Sequence, residues 1–234
     1  MIDEVDSGVA AFFDMDYTLV TANTATMYAR WLSRRGLTGR GDVAKTLWWT
    51  LRYKLGWLDI AAVVEKVVAG MAGLEEQQMI DRCRLCFSSE VIRHVSPQGR
   101  SVVENHRALG HRLVLLTGSS PYLSAPLAAH LDLHDVICTR MEVEDGRFTG
   151  RVIEPVCYRD GKVHWAERYA EEHGIDLGKS WFYTDSHTDL PMLERVGHPV
   201  AVNPDARLAF QATRRRWQVM AFDPPPRGAA APPG

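Results

Sequence analysis

Val9-Ala10-Ala11-Phe12-Phe13-Asp14-Met15-Asp16-Tyr17-Thr18 decides how this chain is to be read. Five apolar residues without alternation run straight into two acids spaced one residue apart. Such an uninterrupted run reads as a strand buried on both faces, the habit of a parallel sheet. The pattern returns at residues 112–117, 180–184 and 199–202. Between the later strands lie helical stretches at 120–131 and 162–173, the second followed by Gly174 as a stop. Strand and helix alternate, which predicts an α/β, doubly wound parallel-sheet core.

Residues 21–95 follow a different period. Asp59 is placed to cap a helix carrying Ile60, Val63, Val64, Val67 and Val68. From Glu75 onward, Met79, Ile80, Cys83, Phe87 and Val91 recur at helical spacing. With no convincing strand there, 21–95 is expected to be an all-helical cap inserted after the first strand, leaving 1–20 and 96–223 as the core. Val143 and Phe148 flank Asp145-Gly146, a pair suited to the positive φ angles of a hairpin turn, so 141–152 is expected to be a small hairpin. Residues 224–234, rich in Pro, Gly and Ala, have little to bury and are expected to be a disordered tail. Within 47–58 a helix would put Leu47, Leu51, Leu55 and Leu58 on one side and Trp49, Tyr53 and Trp57 on another. The aliphatic side would pack into the cap. The aromatic side is open to three uses: burial between helices, the substrate entrance, or peripheral contact with a membrane surface.

Composition narrows the function classes. At 234 residues the chain has room for one or two domains with a real core. A net charge of −2 builds no basic field of the kind a nucleic-acid backbone binder needs, and the run Arg214-Arg215-Arg216 reads as a solvated helix end. Four cysteines are too few for a disulfide scaffold at this length. Cys83-x-x-Cys86 lacks a second ligand pair for zinc, and its apolar neighbours put both thiols, reduced, on a helix face. Residues 1–6 lack the basic-then-apolar layout of a signal peptide. Arg52 and Lys54 break the most aromatic stretch, so no transmembrane segment is expected and the cytoplasm is the default compartment.

Four segments carry chemistry: Asp14 to Thr18, Thr117-Gly118-Ser119-Ser120, Lys162, and Asp185-Ser186-His187-Thr188-Asp189. Three stand where a predicted strand ends, which is where an open α/β sheet binds its ligands; Lys162 opens a helix. Asp14, Asp16, Asp185 and Asp189 would repel one another without a cation among them, and a hard divalent ion such as magnesium fits oxygen ligands of that kind. Thr117 and the Gly118 amide can donate hydrogen bonds to a phosphoryl group, and Lys162 adds a fixed positive charge. One Asp can then attack phosphorus while a second protonates the leaving oxygen and later activates water. His187 reads as a solvent-facing loop residue, with contact to substrate at the mouth of the site as the alternative.

In this order the segments resemble the four motifs of the haloacid dehalogenase superfamily, and the chain is similar to its phosphoserine-phosphatase-like branch from about Val9 to Phe222. The resemblance implies a magnesium-dependent phosphomonoester hydrolase working through an aspartyl-phosphate. It makes Asp14 the nucleophile and Asp16 the general acid/base. Thr117 and Gly118 would bind phosphate, and Lys162 would stabilise the transferred group. Asp185 would hold magnesium with the Asp14 carboxylate and the Asp16 backbone carbonyl, with Asp189 supporting the metal's water shell or Lys162. The chain departs from the branch at Tyr17, often Gly or Ser, and at Thr188, usually Asn. It also carries Asn23 where phosphoserine phosphatases usually have a Glu, nine residues after the nucleophile. Asp16 argues against a dehalogenase, which needs no acid/base there. The expected substrate is a small amino-alcohol or other metabolite phosphate. Transfer to an acceptor other than water, or action on an amphiphilic, lipid-related phosphoester, are the alternatives.

Overall fold

β1 (Ala10–Phe13) is buried along its whole length between two parallel neighbours, β2 (Arg112–Thr117) and β6 (Trp181–Thr184). The computed structural model describes residues 8–39 and 60–222. With β3 (Asp135–Cys138), β7 (His198–Val202) and β8 (Gln218–Met220), these strands form a six-stranded parallel sheet in the order β3-β2-β1-β6-β7-β8. A hairpin of β4 (Arg140–Glu144) and β5 (Arg147–Ile153) stands apart from that sheet. Its turn is the expected pair, with Asp145 at φ 49° and Gly146 at φ 73°.

Side chains alternate along β1, so one short strand serves two cores. Ala11 and Phe13 join Leu113 and Leu115 on one face, under Trp31 of α1 (Thr24–Arg34), Phe87 of α3 (Glu76–Ser89), Val103 of α4 (Pro97–Ala108) and Leu127 of α5 (Pro121–His130). Ala10 and Phe12 join Val114 and Leu116 on the other face. There they meet Ala166 and Tyr169 of α6 (Asp160–His173), Leu193 of α7 (Leu190–Arg195) and Leu208 of α8 (Ala206–Arg215). Phe12 and Phe13 are both fully buried, each contributing about 1.5–3 kcal/mol of transfer free energy.

Between β1 and α4 the named elements are α1, α2 (Ile60–Ala69), α3 and a 3-10 turn (Val91–His94); no strand longer than an isolated bridge occurs there among the described residues. The predicted stop after α6 is present as Gly174 in the left-handed region, φ 64°. Cys83, Cys86, Cys138 and Cys157 are buried free thiols. Among the described residues no helix is long and apolar enough to cross a membrane. The two-faced reading of 47–58 with Trp49, Tyr53 and Trp57, the cap assigned to Asp59, and the readings of 1–6 and 224–234 lie outside the described residues.

The chain runs outward from β1 through β2 to β3, then returns to the far side of β1 as β6 and runs outward again. Strand order therefore reverses between β1 and β6. Open α/β sheets bind their ligands at the carboxyl ends of the strands beside such a reversal.

Candidate active site

Asp14 follows the last residue of β1, and its backbone N–H donates to the Tyr183 carbonyl at 2.8 Å, continuing the β1–β6 pairing by one step. Asp185 follows β6 directly, so the two carboxylates leave adjoining strand ends. Lys162, in the first turn of α6, is 3% exposed, and its ammonium donates to Asp14 Oδ1 at 2.8 Å and to Asp189 Oδ2 at 2.7 Å. Thr184 at the end of β6 donates its hydroxyl to the same Asp189 oxygen at 2.7 Å. Three segments far apart in sequence thus meet in one buried ion cluster. Removing one member of such a cluster leaves an uncompensated buried charge, at a cost of about 3–5 kcal/mol.

Charge in the cluster is unbalanced. Burial pushes the Asp14 carboxyl up to about 7 against the pull of Lys162, with Asp189 and Asp16 adding repulsion. Burial, and then the charges of Asp14, Asp189 and Asp16, hold Asp185 well above the usual carboxylate range. Burial works against the Lys162 charge too, but Asp14 and Asp189 outweigh it and hold the ammonium above the ordinary lysine range. The Asp185 carboxylate and Asp14 Oδ2 accept no hydrogen bond from any described residue. An oxygen-only donor set with surplus negative charge fits a hard divalent cation. No three His, Cys, Asp or Glu side chains converge on a metal position among the described residues. A site built from Asp14, Asp185 and the Asp16 backbone carbonyl needs only two side chains.

The other two acids face different partners. Asp189 is committed to Lys162 and Thr184. Asp16 turns toward the start of α1, where its carboxylate accepts from Asn23 Nδ2 at 2.7 Å, Thr24 N at 3.0 Å and Thr24 Oγ1 at 2.7 Å. Burial lifts Asp16 to about 6, and the two Thr24 donors oppose it.

Thr117 ends β2, and its hydroxyl accepts from Ser119 N at 3.2 Å. Gly118 is exposed, and the loop 117–120 leads into α5, which opens on Pro121, with the Leu123 and Ser124 N–H groups donating to the Ser120 carbonyl at 3.2 and 3.1 Å. A Cβ on Gly118 would stand 3.3 Å from the Cys157 carbonyl, so the two loops pack closely.

His187 corrects its sequence reading. Its side chain is 22% exposed, and the residue is tied to the capping carboxylate of α8: its backbone N–H donates to Asp205 Oδ2 at 2.8 Å, and its Nδ1 lies 2.9 Å from the same oxygen. Against the effect of burial, these bonds and that from Leu208 N hold Asp205 below the ordinary carboxylate range. Asp205, 18 residues downstream, carried no local signal for this pairing. Sequence reading also missed Thr184, Thr24 and Gly161. For Gly161 a signal existed, since a glycine directly before a functional lysine marks a close backbone approach.

Residues 11–194 match the family of haloacid dehalogenase-like hydrolases. A histidinol-phosphatase of Neisseria meningitidis is 30% identical over 217 residues, spanning 91% of this chain and 98% of the relative. A phosphoserine phosphatase of Mycobacterium tuberculosis, SerB1, is 31% identical over 222 residues, spanning 93% and 72%. A crystal structure of a protein of unknown function from Bordetella pertussis Tohama I is 30% identical with a TM-score of 0.82, covering 90% of this chain and 97% of that one. The chain belongs to the haloacid dehalogenase-like hydrolase family, within its phosphoserine-phosphatase-like branch, and is a phosphatase.

Proposed function

We propose that the chain hydrolyses a small phosphomonoester through an aspartyl-phosphate on Asp14, with Asp16 as acid/base. The observation that carries this reading is the buried Lys162 ammonium bridging Asp14 and Asp189 beside the strand-order reversal. Phosphatases of this family generally use Mg2+. Asp14 and Asp185, with the Asp16 carbonyl, are the residues that would hold it. When bound it offsets carboxylate repulsion and draws charge from the phosphoryl oxygens.

The Asp14 carboxylate attacks phosphorus, and the ester P–O bond breaks as Asp16 gives its proton to the leaving oxygen. Lys162 and the 117–120 loop carry the charge spread over the equatorial oxygens. Asp16, now ionised, takes a proton from water as the water oxygen bonds to phosphorus, and the P–O bond to Asp14 breaks. Inorganic phosphate leaves, and both acids return to their starting states.

Phosphate release from p-nitrophenyl phosphate tests the reading. Activity should require magnesium and vanish with a chelator, and Asp14→Asn should abolish it because an amide cannot replace the nucleophilic carboxylate. Full activity in Asp14→Asn preparations free of contaminating phosphatase would refute the assignment. The same assay with added alcohol acceptors separates hydrolysis from transfer.

A further inference from the structure

We propose that Asn23 and Thr24 are positioning residues that fix the Asp16 carboxylate so that its proton is carried on Oδ2 alone. The inference rests on the acid/base role proposed for Asp16 and adds what sets its geometry. A carboxylate offers about four lone-pair positions, two on each oxygen. Thr24 N at 3.0 Å and Thr24 Oγ1 at 2.7 Å occupy both positions on Oδ1. Asn23 Nδ2 at 2.7 Å occupies one on Oδ2. Among the described residues these donors leave a single position, and the proton that the chemistry moves twice has that seat.

The surroundings hold this arrangement still. Asn23 Oδ1 accepts from Thr26 N at 2.9 Å, so the amide that donates to Asp16 also caps α1. Thr24 is fully buried. Between Asp16 and Asn23 the chain is pinned by Val20 N to the Met15 carbonyl at 2.9 Å, Thr21 N to the His94 carbonyl at 2.8 Å, and Ser96 N to the Leu19 carbonyl at 2.9 Å. Capping alone does not demand an asparagine, because Ser and Asp accept the same bond about as well and Thr only somewhat less well. Among these residues only asparagine also presents an amide donor. The first turn of α1 is thereby joined to the moving proton, and the Asn23 side chain is spent on protein partners instead of substrate.

Asn23→Asp keeps shape and cap but sets an acceptor against Oδ2; Asn23→Ser keeps the cap and loses the reach. Thr24→Val removes one of the two donors to Oδ1. The readout is pre-steady-state nitrophenolate release from p-nitrophenyl phosphate beside turnover of an alkyl phosphate. Nitrophenolate leaves with little need of a proton, so the first half-reaction should stay within about threefold of wild type. Water attack and alkyl-ester cleavage both need Asp16 and should slow by about 10²-fold, within the range of general acid–base catalysis. The Asn23 variants should then show a burst of one nitrophenolate per site, slow steady turnover, trapped aspartyl-phosphate and a nearly unchanged KM. Thr24→Val should show the same pattern with about a tenfold loss. Asp16→Asn is the control. If it gives the burst and the Asn23 variants do not, the positioning role is wrong and the acid/base role stands. If Asp16→Asn gives no such pattern, the acid/base reading falls and this inference with it. An equal loss in both phases would make Asn23 merely structural and overturn the proposal.

Discussion

Gly161 stands one residue before Lys162, and a Cβ there would lie 1.9 Å from the Val156 carbonyl oxygen. No side-chain rotation relieves a contact between a Cβ and backbone, so Gly161→Ala must move either the loop or the start of α6. Overpacking of this kind costs about 1–3 kcal/mol, and displacing the Lys162 ammonium by about 1 Å should lower kcat/KM about 10²-fold. Urea unfolding and steady-state kinetics check the two halves; wild-type kcat/KM in Gly161→Ala would show that Lys162 tolerates the shift. At Asn23 the question is substrate. Phosphoserine brings an ammonium that loses water on binding and needs an anionic partner. Asn23 has no charge, its side chain is engaged with Asp16 and Thr26, and no Asp or Glu lies between Asp16 and Asp42. Sites built around a polar group discriminate on the order of 10⁴ in favour of it. Phosphoserine is therefore expected to lack that advantage in kcat/KM over a simple alkyl phosphate. An advantage of about 10³ or more would mean that another carboxylate receives the ammonium.

At the scale of elements, β4 and β5 are bound to the helices between β1 and α4 by backbone and by packing. Gly73 N donates to the Phe148 carbonyl at 2.8 Å, Phe148 N to the Leu74 carbonyl at 3.0 Å, and Tyr122 of α5 reaches Glu76 of α3 at 2.7 Å. Phe148 meets Tyr122 edge-on, and both pack with Cys83 of α3 in a small core separate from the two that flank the sheet. Phe148→Ala should cost about 3–5 kcal/mol locally and speed amide exchange through α2, α3 and the hairpin. Protection in β1, β2 and β6 should hold; equal loss there would mean the small core is not a separate cooperative unit. The helices α2, α3, α5 and α6 and the hairpin were legible because their periods and the Asp145-Gly146 turn are local properties, and β2 was read to the residue; α1, α4, α7 and α8 were not read as elements. β3 and β8 were not read. Each is a short edge strand, Asp-Val-Ile-Cys and Gln-Val-Met, with too few residues to establish a period. The site divides the same way. Asp14, Lys162 and Asp189 could be assembled from motif order, but Asn23 and Thr24 reach Asp16 through the path of the intervening loop, and His187 reaches Asp205 across two elements, neither of which spacing encodes.

For the whole molecule, two populations of titrating groups oppose each other. Burial holds Asp14 at about 7 and Asp16 at about 6, so the folded chain keeps protons there that the unfolded chain has released. Above the ordinary carboxylate value these groups therefore cost stability as pH rises toward their folded values. The histidines act in the other direction. Burial lowers His106, which contacts Tyr183 and His111, to about 4, and lowers His111, His130 and His134 as well. Their contribution rises with pH and is complete above the ordinary histidine value. Comparing the protein with and without Mg2+ removes the histidines, which are common to both, and isolates the carboxylates. A divalent ion competes with protons for Asp14 and Asp185, so its stabilisation must grow as pH rises through the folded values of those acids. At a hundredfold excess over Kd, binding adds about 2.7 kcal/mol, or roughly 5–10 °C in Tm for a chain of this length. Thermal unfolding should show a shift of that size at about pH 8 and less than half of it at about pH 5.5. An equal shift at both would mean that the ion does not bind at these carboxylates.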